Sequence, residues 1–208
     1  MKKNNKGFSL IELSIVLIIM GLLIAGVTGG ASLIKSAQLR AVVTENTSFR
    51  TAYNTYYAQF GKVPGSDADL NTIDDAGDPW QNLFDEGIID KKPETETGSA
   101  GGNTVKYVNS KFGKNAKWFL KNAGDSFVVS DFSNINVLIL SGKSDFSTGA
   151  LTNREAESVD DKIDDGQSTT GIIRGLSYET STATNADYAG STTAESARIW
   201  SFVNKLDF

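Results

Sequence analysis

The chain of 208 residues contains no cysteine and no histidine. Without cysteine there is no disulfide, so the fold rests on packing alone. Without either residue there is no Cys–His nucleophile pair, no Ser-His-Asp triad and no zinc site of the usual kind. Positive charge is also scarce: 20 Lys and Arg stand against 25 Asp and Glu, a net charge of −5. That balance argues against a nucleic-acid partner, which requires a basic face. Only three prolines occur, and none precedes Pro64, so no proline kinks the N-terminal region. What the chain does hold is unevenly spread. Much of its apolar content lies between Phe8 and Ile34. The polar remainder still carries Trp80, Trp118, Trp200 and many Phe and Tyr, so it has the means to build one core rather than remain disordered.

The N-terminus is the most informative stretch. Lys2, Lys3 and Lys6 form a basic lead, followed by Gly7 and then Phe8-Ser9-Leu10-Ile11-Glu12. From Leu13 to Ile34 there are 22 residues without charge, closed by Lys35. As a helix this run is about 33 Å long, enough for a hydrocarbon core of about 30 Å. The basic lead predicts a cytoplasmic N-terminus, with the bulk of the chain beyond the inner membrane. An ordinary secretory signal with a cleavage region near Ala25-Gly26-Val27-Thr28-Gly29 is one alternative, and a plain anchor is another. Neither accounts for Glu12, since a charge deep in a membrane helix costs roughly 2.5–3.5 kcal/mol. Gly21, Gly26, Gly29 and Gly30 permit close helix approach or local unwinding.

Lys6-Gly7-Phe8-Ser9-Leu10-Ile11-Glu12-Leu13, followed by the apolar run, resembles the class III signal of type IV prepilins and pseudopilins. The resemblance implies cleavage between Gly7 and Phe8 by a prepilin peptidase, N-methylation of Phe8, and pairing of Glu12 with the Phe8 amine of a neighbouring subunit during assembly. The physics suits such a role. Cleavage creates a cationic amine four residues from Glu12, on the same helix face. An ion pair at about 4 Å is worth roughly 4 kcal/mol at an effective dielectric of 20, much of which desolvation removes. The pair is thus a register device more than an adhesive. Loss of residues 1–7 takes three lysines with it and leaves a side-chain charge of −8.

Beyond Ile34 the helical pattern continues. Leu33, Ile34, Ala37, Ala41 and Val42 are followed by an aromatic stripe of Phe49, Tyr53, Tyr56, Tyr57 and Phe60, with Lys35, Arg40, Glu45 and Arg50 expected on other faces. Gly61 to Gly65 should end the helix. A short helix is expected after Asp78 as N-cap, with Trp80, Leu83, Phe84 and Ile88 on its inner side. Strands are expected at 105–108, 117–120, 126–130 and 135–140, a helix at 151–163 capped by Thr152 and Glu155, and a further strand near 170–174. Residues 98–102 and 180–193 read as loops, and 198–206 as an apolar terminal piece that docks on the body. The expected class is α+β: a long N-terminal membrane and assembly helix packed on a small antiparallel sheet. The expected divisions are a leader at 1–7, an assembly segment at 8–34, an amphipathic half at 35–60 and a globular domain at 61–208.

The body is also similar to some minor pilin-like proteins, through Val63-Pro64-Gly65, Trp80 with Leu83 and Gly87-Ile88-Ile89, and Asp161-Lys162-Ile163-Asp164-Asp165-Gly166 before Thr170-Gly171. Asp78-Pro79-Trp80 is similar to a motif of major secretion pseudopilins, but Gln81 stands where they have glycine, so their calcium ligands are not carried over. Two acidic clusters invite a calcium reading: Asp67, Asp69, Asn71, Asp74, Asp75, Asp78, and Asp160, Asp161, Asp164, Asp165. The competing reading is solvated loops and helix ends. No carboxylate pair stands out as a hydrolase site. Three functions follow as expectations: a structural subunit of a pilus or secretion pseudopilus, a filament-tip binding module, and a plain anchored periplasmic domain. The partners expected for the first are other pilin subunits, the prepilin peptidase and the inner membrane.

Overall fold

The computed structural model describes residues 9–67, 71–74, 77–97, 104–113, 115–122, 135–144, 148–168, 170–177 and 197–202. One helix, α1 (Leu10–Phe60), runs through the whole predicted helical region. Two compact units divide the chain at Gln38/Leu39.

In the first unit every large apolar side chain from Leu10 to Ile34 is exposed. In the second, α1 buries Val42, Glu45, Asn46, Phe49, Ala52, Tyr53 and Tyr56, spaced by three and four along one face. Phe49 is the centre of this face, with its ring edge-on to Trp80 at 4.9 Å and to Trp118 at 5.9 Å. The aromatic stripe continues less deeply than expected. Phe60, the last helical residue, is 43% exposed and rests on Tyr56, with ring centroids 4.5 Å apart. On the opposite side Thr44, Thr47, Thr51 and Thr55 donate their hydroxyls to the carbonyls four residues back, so the helix supplies its own partners there.

A six-stranded antiparallel sheet forms the rest of the core: β1 (Glu94–Thr97), β2 (Thr104–Asn109), β3 (Lys117–Asn122), β4 (Asn136–Ser141), β5 (Ile173–Ser177) and β6 (Ala197–Phe202), in the order β1-β2-β3-β4-β6-β5. β4 is buried at every position, as befits a central strand covered on both faces. The last strand among the described residues, β6, inserts between β4 and β5, pairing Ile139 with Trp200 and Arg174 with Trp200. What the sequence showed as a docking terminal piece is therefore an inner strand.

Two short helices complete the fold, α2 (Pro79–Asp85) and α3 (Asn153–Ile163). The predicted capping box of α3 forms in full: the Glu155 N–H donates to Thr152 Oγ1, and the Thr152 N–H to Glu155 Oε2 at 2.7 Å. Asp78 stands at the N-cap of α2 but makes no side-chain cap. Lys106 draws its carboxylate away at 2.7 Å. β1 was not predicted, because Glu94-Thr95-Glu96-Thr97 has no apolar alternation; its acids are held by Tyr107, Asn109 and Lys117 from the neighbouring strands. The strand expected at 126–130 and the loops at 98–102 and 180–193 lie outside the described residues.

Candidate functional site

Among the predicted processing and assembly residues, Gly7 and Phe8 lie outside the described residues, and Glu12 sits in the first turn of α1. Its Oε2 accepts the backbone N–H of Ser9 at 2.9 Å. Ser9-Leu10-Ile11-Glu12 thereby forms half of a capping box, with Glu12 at the third helical position. This cap is written in the sequence as Ser-x-x-Glu ahead of an apolar run, yet the reading of Glu12 as a partner for an amine hid it. A carboxylate has two oxygens and about four acceptor sites, so one cap leaves room for another donor.

The residues from Leu13 to Ile34 hold no second charge. Thr28 and Ser14 return their hydroxyls to carbonyls of the preceding turn, which removes two unsatisfied donors from an otherwise apolar surface. The helix is long and apolar enough to cross a membrane, with a mean hydropathy of 2.7 in its most apolar window and none of that window buried in the molecule.

Residues 2–28 match the family model of the prokaryotic N-terminal methylation motif. The match covers 27 of the chain's 208 residues. The matched motif runs into the apolar part of α1. No curated protein matches it. The solved structure of the major type IV pilin PilA1 from Clostridium difficile is similar over 84% of this chain and 99% of its own, at 16% identity and a TM-score of 0.42.

The acidic clusters fare differently. In the first, Asp69 and Asp75 lie outside the described residues. Asp78 is paired with Lys106, Asp74 accepts the N–H of Asp67, and the carbonyl of Asn71 accepts from Asn136 at 2.8 Å. In the second, Asp160, Asp164 and Asp165 bring three carboxylate oxygens within 4.8 Å of one another. Their neighbours explain the gathering. Asp164 Oδ2 accepts the N–H groups of Ile172 and Ile173, the latter at 3.1 Å. Asp165 accepts from the Gln167 N–H at 2.9 Å and from Thr170 Oγ1 at 2.5 Å. These bonds hold the Asp165 carboxyl below the usual range, with Arg174 assisting, while the charge of Asp164 is felt by half-buried Arg50 on α1. Gly166 and Gly171 both have positive φ, and a side chain at either would collide with Asp161 or Asp164 respectively. The aspartates thus tie the turn between α3 and β5 together. Calcium takes about six to eight oxygens, and a set of three acids, of which Asp164 and Asp165 are already engaged by backbone and hydroxyl donors, falls short of that demand. Asp161 faces Gly166 instead of joining the other three.

Proposed function

We propose that this protein is a structural subunit of a type IV pilus or type II secretion pseudopilus. In this reading prepilin peptidase cuts between Gly7 and Phe8, the new Phe8 amine is methylated, and the mature chain assembles through α1. Residues 1–7 are the leader, 8–34 the membrane and assembly segment, 35–60 the amphipathic second half of the helix, and 61–208 the globular domain. The globular domain lies on the periplasmic side before assembly.

The observation that carries the proposal is Glu12: one carboxylate in the first turn of a helix whose next 22 residues carry no charge. Such a group is disfavoured in lipid unless a cation meets it. A neighbour's Phe8 amine at the correct stagger supplies that cation, and a wrong stagger leaves both groups unpaired. The ion pair therefore selects register, while van der Waals packing of the apolar run supplies the attraction.

Mass spectrometry of the mature protein should find a methylated Phe8 as its first residue. A different N-terminus removes the basis of the reading. Glu12→Ala should be processed normally and leave the body's unfolding transition unchanged, yet its recovery in sheared filaments should fall by at least about 100-fold, the equivalent of about 2.7 kcal/mol.

A further inference from the structure

Glu45 was expected on a face away from the apolar stripe of α1 and is instead buried, the only charged side chain that the helix buries. The reason is its surroundings. Its Oε1 accepts from Lys91 Nζ at 2.8 Å and from the Lys111 N–H at 3.1 Å. Its Oε2 accepts from Ser110 Oγ at 2.6 Å and from Trp118 Nε1 at 3.0 Å. Four donors thus converge from three segments: the stretch after α2, the turn between β2 and β3, and β3 itself. Lys91 is further held by the carbonyl of Asn109 at 3.1 Å, and Ser110 Oγ by the N–H of Phe112 at 3.2 Å, so the donors are themselves fixed.

Elsewhere on the buried face Tyr53 makes one directional contact, its hydroxyl accepting from Asn136 Nδ2 at 2.7 Å. Val42, Phe49, Ala52 and Tyr56 make largely apolar contacts, which are non-directional. A helix turned by one residue, about 100°, still buries apolar area. The carboxylate does not permit this: in any other setting it is buried without donors, or Trp118 and Ser110 are left without an acceptor. Arg50, about 140° further round the helix by its five-residue spacing, feels the charge of Asp164.

We propose that Glu45 is a positioning residue for assembly, fixing a single rotational and axial setting of the second half of α1 on the sheet so that every copy offers its neighbours the same surface. The proposal rests on the filament-subunit reading. A regular filament repeats one contact between identical subunits, and a body with several settings on its helix breaks that repeat.

The test uses full-length wild-type, Glu45→Gln, Lys91→Met and Lys91→Arg chains in cells that assemble the filament, with unfolding and the Trp118 indole N–H resonance measured on the detergent-solubilised proteins. Glu45→Gln should still unfold cooperatively but lose the exchange-protected indole proton, and its incorporation should fall about 10-fold or more. Lys91→Met keeps the Ser110, Lys111 and Trp118 donors and should fall about 3-fold, with Lys91→Arg restoring most of that loss. A cooperatively folded Glu45→Gln chain that incorporates as well as wild type overturns the proposal. If Glu45→Gln does not fold, Lys91→Met decides, and wild-type incorporation of that folded variant overturns it equally. Absence of the wild-type chain from the filaments instead overturns the filament reading, and this proposal with it.

Discussion

Two stretches of one helix meet opposite environments. From Leu10 to Ile34 the least covered and most covered large apolar side chains are 88% and 46% exposed. From Val42 to Tyr56, Val42 is fully buried and Tyr53 is 1% exposed. Both stretches belong to one continuous helix, so secondary structure alone does not separate them. Periodicity does. The first is apolar on every side, a pattern that no single packed face can satisfy. The second confines its apolar residues to one stripe and fills the other side with threonines that bond their own backbone. Cover for the first stretch must come from lipid or from other subunits, whereas the second finds its cover within the chain.

The comparison can be broken most forcefully from the covered side. Trp118→Ala removes a fully buried ring and the indole donor to Glu45, and should destabilise the body by about 3–5 kcal/mol in denaturant unfolding. Leu23→Ala, a truncation on the uncovered side, should leave that transition within about 0.5 kcal/mol, because Leu23 is 62% exposed. A comparable loss from Leu23→Ala would show that the two stretches are not energetically separate.

Acid sharpens the contrast. Burial works against ionisation of Glu45, but its bonds from Lys91, Ser110 and Trp118 outweigh burial and hold its carboxyl below the ordinary value of 4.5. Stability from this group is therefore fully present above about pH 4.5 and is lost as pH falls through the lower folded-state value. Wild-type unfolding free energy should decline below about pH 4.5 more steeply than that of Glu45→Gln, by about 1–3 kcal/mol across the titration. Parallel pH profiles would remove Glu45 as the cause. The smallest effect is expected at α3, where Thr152→Ala deletes the N-cap and should lower stability by about 1 kcal/mol in the same measurement.

Much of this architecture was legible because local rules state it. The α3 cap, for instance, needs only Thr152 and Glu155 three residues apart. The end of α1 needs only Gly61 and Pro64. The candidate assembly site was legible for the same reason: a lone acid at the head of a charge-free run is a conflict visible without any contact map. The misses share a different origin. Glu94-Thr95-Glu96-Thr97 is a strand because β2 and β3 offer it Tyr107, Asn109 and Lys117, residues that lie at least ten positions away. Glu45 is buried because Ser110 and Trp118, 65 and 73 positions distant, bring donors to it.

The sequence by itself determined that a long helix begins near Ser9, that its first part is too apolar to fold alone in water, and that Glu12 is the one charge within that setting. Spacing and hydropathy decide these matters over a few helical turns. Only the tertiary structure decided that β6 lies inside the sheet, that Asp78 answers Lys106 rather than its own helix, and that Glu45 belongs to the core. Each depends on which distant donor or strand edge arrives at a given point in space, and no local pattern carries that information.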